Sequence, residues 1–121
     1  MAGNNVIVAA SISPQVLVSQ QLGTSEVAVY TCAAATSVKV AQASLCNITA
    51  SAVTVYLSIV KTGGTLGDGT HRFISGYSLA ANDTLALDVI RGAMLGPGDV
   101  IAAYAGTATA VDLVITGTVH A

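Results

Sequence analysis

The stretch AVTVYLSIV, residues 52–60, alternates apolar and polar side chains with a period of two. Successive side chains of an extended chain point to opposite faces, so the pattern turns Val53, Val55, Leu57 and Ile59 one way and Thr54, Tyr56 and Ser58 the other. A helix, repeating every 3.6 residues, would scatter the same residues around its circumference. AVDLVITGTV, residues 110–119, repeats the motif, with Val111, Leu113, Ile115, Gly117 and Val119 inward against Asp112, Val114, Thr116 and Thr118. No segment carries a convincing helical stripe. Further strands are expected over residues 16–22, 26–32, 38–47, 73–79, 84–89 and 99–105, the third slipping near Val40 and Ala41 as a β-bulge would cause. Turn signals separate them: Gly23 with Thr24 and Ser25, Asn82 with Asp83, and Gly96-Pro97-Gly98-Asp99, whose Pro-Gly pair suits a type II turn.

About eight short strands at near-regular spacing predict an all-β domain, a two-sheet antiparallel β-sandwich of Ig-like or jelly-roll type. We assign it residues 15–121, preceded by an extended N-terminal arm over residues 1–14. The arm is apolar around Val6, Ile7, Val8 and Ile12, and these four are the candidate inter-subunit contact. A terminal strand either joins a neighbour's sheet edge or forms the first strand of its own sheet, and both readings stay open here.

Charge is scarce. Only 8% of the residues are charged while 53% are hydrophobic, against roughly 25% charged in an average soluble domain. A monomer of this mass exposes on the order of 6,000 Å², so each charge serves roughly 600 Å². Such a surface is covered by other subunits, or built from small, weakly hydrophobic residues, or both. The mean hydropathy of +0.73 raises a membrane alternative. Residues 40–60 are free of charge yet hold Gln42, Ser44, Asn47, Thr49, Ser51, Thr54 and Ser58, too polar for a spanning helix. No basic residue precedes the first apolar run, so no secretory signal is expected. With four cations and a net charge of -2 the chain has no basic stripe, and nucleic acid is not an expected partner.

Chemistry is equally scarce. The glycine-rich segment KTGGTLGDGTHR, residues 61–72, places its Lys before the glycines and is followed by strand pattern, which reads as a long mobile hairpin loop rather than a phosphate cradle. Asp68, His71 and His120 fall short of a rigid metal-ligand set, and no metal or cofactor is expected. No nucleophile sits in a strained turn beside a base, and Asp83, Asp88, Asp99 and Asp112 read as turn and strand-edge carboxylates rather than a catalytic pair. Tyr30, Tyr56, Tyr77 and Tyr104 lie on different predicted strands and read as core or interface residues, with a sugar-stacking platform as the rival. If residues 26–32 and 36–47 form a hairpin turning near Ala34, Cys46 lies roughly 30 Å beyond the reach of Cys32, so two buried thiols are expected. Asn47-Ile48-Thr49 and Asn82-Asp83-Thr84 fit the glycosylation acceptor, which has no role without secretion. No enzyme is expected.

From Val29 onward the phrases VYTCAAATSVKVAQASLCNITASAVTVYLSIV, HRFISGYSLAANDTLALD and LGPGDVIAAYAGTATAVDLVITGTV resemble small β-sandwich virion proteins of tailed bacteriophages, particularly those of actinobacterial hosts. The resemblance implies a structural component of the virion, made in the host cytoplasm. It points first to a capsid decoration (cement) protein, a homo-oligomer expected to be a homotrimer, with the major capsid protein as partner. A tail, neck or fibre-base protein is the alternative within the virion. A host-surface carbohydrate-binding module, using the tyrosines and the loop 63–69, is the alternative outside that class.

Overall fold

A computed structural model describes residues 11–67 and 69–121. They form nine strands: β1 (Ile12–Gln21), β2 (Val27–Thr31), β3 (Ser37–Asn47), β4 (Val53–Val60), β5 (Arg72–Leu79), β6 (Thr84–Ala86), β7 (Met94–Leu95), β8 (Val100–Ala105) and β9 (Val111–His120), with one 3-10 turn at Asp88–Ile90. One sheet has the order β1-β9-β3-β6, with β7 also on β3, and the other has the order β2-β8-β4-β5. Every pairing is antiparallel.

The pairs are nested: β4 with β5, β3 with β6 and β7, β2 with β8, β1 with β9. A long hairpin rolled so that successive rungs fall in alternate sheets produces this order, and it is the jelly-roll form of the β-sandwich. The predicted alternation explains why the two sheets meet. Val18, Val40, Leu45, Leu113 and Ile115 project from the first sheet into a core shared with Val53, Val55, Leu57, Ile101 and Ala103 of the second. Each fully buried Val, Leu or Ile contributes about 1.5–3 kcal/mol relative to exposure.

The bulge expected near Val40 and Ala41 is present, as a register shift between Val40 and Gln42 against β9. A second bulge, between Val16 and Val18, lies on the opposite flank of β9. Gly117 sits between the two, and a Cβ there would strike the Lys39 carbonyl oxygen, so glycine permits the close approach of the strands. The Gly96–Asp99 turn also forms as expected: the Asp99 amide donates to the Gly96 carbonyl at 3.1 Å, and Gly98 takes φ +81°.

Three expectations are corrected. The strand expected over 84–89 ends at Ala86, and the chain continues as the 3-10 turn before the short strand β7. β2 and β3 form no hairpin, because the turn at Ala34 and Ala35 carries the chain from one sheet to the other. Both cysteines are free thiols, but only Cys32 is fully buried, Cys46 being half-buried. The end of β4 departs from simple alternation as well. Ser58 is buried although it faces away from the core, as are Val60 and Ala102 on that same outer side.

Ile12, Ser13 and Pro14, assigned from the sequence to the arm, are strand residues of β1 opposite His120, Val119 and Thr118. Val6, Ile7 and Val8 lie outside the described residues.

Candidate interaction surface

Each sheet has an outer face, and the two are built differently. On the second sheet, Tyr56 of β4 stands opposite Tyr104 of β8, and their rings stack at 4.4 Å with 7° between planes. The Arg72 guanidinium lies 4.9 Å from the Tyr56 ring centre and 5.5 Å from that of Tyr104, and donates to the Tyr104 hydroxyl at 3.0 Å. It also pairs with Glu26 at 3.8 Å, whose side chain is only 6% exposed. The second Glu26 oxygen accepts the Gly67 amide, which ties the glycine-rich β4–β5 loop down onto this face. Ser58 lies beneath, opposite Arg72 in register.

The other end of that loop is anchored by Asp99. Its carboxylate accepts the Thr62 amide at 3.0 Å and the Gly96 amide at 2.9 Å, and lies 3.5 Å from the Lys61 ammonium. Burial by itself raises the Asp99 carboxyl, but the Gly96 and Thr62 amides and the Lys61 charge together outweigh it, leaving the group below the usual carboxylate range. The loop read as mobile is therefore held at two points.

Two of the four tyrosines meet here, and their rings are already engaged with each other and with Arg72. Tyr56 has Tyr104 on one side and Gly76 of β5 on the other, where a Cβ would come within 3.6 Å of the ring. Tyr30 packs against the core, where burial first, and then the nearby Cys32 thiol, raise its hydroxyl above the ordinary value. Tyr77 is exposed on the edge strand β5.

The other sequence candidates are dispersed. His71 is in the β4–β5 loop, whereas His120 is buried on the first sheet with Nε2 3.0 Å from the Thr118 hydroxyl. Asp68 is outside the described residues, among which no group of three His, Cys, Asp or Glu converges. Asp83 accepts the Thr84 amide, Asp88 pairs with Arg91 at 3.4 Å, and Asp112 accepts from Gln21 at 3.2 Å. Asn47 is wholly buried: its amide nitrogen donates to the carbonyls of Ser51, Leu79 and Ala80, and its oxygen accepts from Thr49. It is an internal staple between sheets.

On the first sheet the middle of the outer face is open, while at one end Ser37 and His120, which the register also turns outward, are buried. Register with β9 places Ile12, Pro14, Val16 and Ser19 of β1, Lys39, Gln42, Ser44 and Cys46 of β3, and Met94 of β7 on the side of Asp112, Val114, Thr116 and Thr118. Ile12, Val16, Val114 and Met94 are four of the nine large hydrophobic side chains exposed among the described residues, so apolar exposure gathers here. A shallow depression of about 190 Å³ lined by Gln42, Ala43, Ser44, Val114 and Thr116 marks its middle. Lys39 and Asp112 are the charged side chains on it. Sequence reasoning named Ile12 as a contact and turned Asp112, Val114, Thr116 and Thr118 outward, but did not join them into one surface, because outward residues of separate strands do so only when strand order is known.

No family model matches the chain, and no curated protein or solved structure matches it either.

Proposed function

We propose that this chain is a non-enzymatic structural subunit of a virion, a decoration protein on the outside of a phage head that associates with copies of itself and binds the major capsid protein. The observation that carries the reading is the open outer face of the first sheet, a broad Thr, Ser, Gln and Val surface with one charge of each sign. The molecule's accessible surface is 5978 Å², and its few charges are concentrated in ion pairs elsewhere: Lys61 with Asp99, Arg72 with Glu26, Arg91 with Asp88. A face left this neutral suits contact with protein better than contact with nucleic acid or a charged substrate. Jelly rolls occur in capsid proteins, lectins and cupins, so the fold is compatible with the reading without selecting it.

The mechanism is linkage. A subunit that binds the assembled shell and not its separated components stabilises the shell by mass action, and an oligomer that bridges neighbouring shell subunits multiplies the effect through effective concentration. In this reading Val6, Ile7, Val8 and Ile12 contact a neighbouring subunit. The test is to mix the purified chain with expanded heads and sediment them. Saturable co-sedimentation, at copy numbers in the hundreds per head, is expected. Its absence at every ratio overturns the proposal, and copy numbers of tens or fewer per virion move the chain to the tail, neck or fibre base.

A further inference from the structure

The charges on the open face are placed symmetrically about its centre. Lys39 is level with Thr118 of β9, and Asp112 is six residues along the same strand, roughly 20 Å away at the usual rise. Midway between them lies the depression bounded by Val114, Thr116, Gln42 and Ser44. A rotation of 180° about an axis lying in the face, across the strands and through that depression, exchanges the two ends. It sets each copy's Lys39 within reach of the other's Asp112, and lays Val114 of each over Thr116 of the other.

Resting on the reading of the chain as an assembling subunit, we infer that the occupant of this face is a second copy of the chain, packed face to face about a two-fold axis. The area suffices. Four strand widths by nine residues cover about 600 Å², or about 1,200 Å² for both copies, the lower end of what specific interfaces bury. Aligned sheet packing at the usual 10 Å separation accommodates the small Thr, Ser and Ala residues of the face and fills the depression with the partner's Val114. The two-fold contact differs from the trimer that the resemblance implies, and the oligomer count separates them.

Sedimentation equilibrium on the full chain tests the inference. The wild type is expected to form a dimer, and Lys39→Asp and Asp112→Lys are each expected to weaken it by about tenfold or more, since each turns two attractive pairs into repulsive ones. Mixed in equal amounts, the two variants regain both attractive pairs and are expected to form a heterodimer at least as tight as the wild-type dimer. Val114→Arg, at the centre of the face, is expected to stay monomeric, with the thermal melt of the wild type at concentrations where both are monomers. A wild type that remains a monomer at all concentrations, a trimer, reversals without effect, or a mixture that stays monomeric overturns the assignment. Because no shell is present, a dimer that ignores heads contradicts the decoration reading alone, and a monomer that binds heads contradicts the face assignment alone.

Discussion

The outer faces of the two sheets start from similar patterns of outward Thr, Ser and Tyr or Val, and end as opposites. On the second sheet the long β4–β5 connection folds back, Glu26 and Arg72 meet over the Tyr56 and Tyr104 rings, and Ser58, Val60 and Ala102 are buried beneath. On the first sheet Ser37 and His120 are buried at one end, but over the rest of the face Val16, Val114 and Met94 are exposed and face outward. The contrast follows from where two of the three ion pairs sit: Arg72 with Glu26 and Lys61 with Asp99 hold the β4–β5 loop over the second sheet, whereas the open part of the first sheet's face carries only Lys39 and Asp112.

That contrast can be broken most severely at Arg72. Arg72→Ala leaves the Glu26 carboxylate buried without its counter-charge and opens the tyrosine stack, so a loss of about 3 kcal/mol is expected in denaturant unfolding. A loss below half of that would mean that water already reaches Glu26. The first sheet is vulnerable inside rather than outside. Gly117→Ala drives a methyl into the Lys39 carbonyl oxygen and is expected to cost about 2 kcal/mol, read as a lowered thermal midpoint.

The Asp99 turn gives a smaller, pH-dependent effect. Its carboxyl is lower in the folded chain than in the unfolded one, so its stabilisation is complete above the unfolded value of about 3.9 and is lost as pH falls through the folded value. Asp99→Asn is therefore expected to be about 1–2 kcal/mol less stable at pH 7. Below the folded value, acid titration curves of variant and wild type should converge. A constant gap at all pH would place the effect in packing instead. The smallest change is expected from Val114→Arg, within about 0.5 kcal/mol for monomer unfolding, because the face it alters carries no internal load.

Period-two alternation was enough to place most strands within two residues, because a half-buried strand writes its burial directly into the sequence. The bulge at Val40 and the turn at Pro97 and Gly98 were legible for the same local reason. Strand order was not, since Thr36 to Asn47 reads equally well beside β2 or, as found, between β9 and β6. The interaction surface shared that fate: Lys39 and Asp112 are 73 positions apart and come onto one face, at its two ends, only through the β3–β9 register. The short run Asp88 to Ile90 misled for a different reason. Val89 is 70% exposed while Ile90 is buried, so an apolar pair that looks like strand is a turn with one side chain in the core.

Cys46 stands on the open face opposite Asp112, while Cys32 is buried in the core and serves as an internal unreactive reference. The rate at which a thiol reagent modifies Cys46, followed as the protein is concentrated, therefore measures directly whether this face becomes covered. The account predicts that modification slows on concentration in the wild type and not in Val114→Arg. A wild-type rate that stays the same across the concentration range would contradict it.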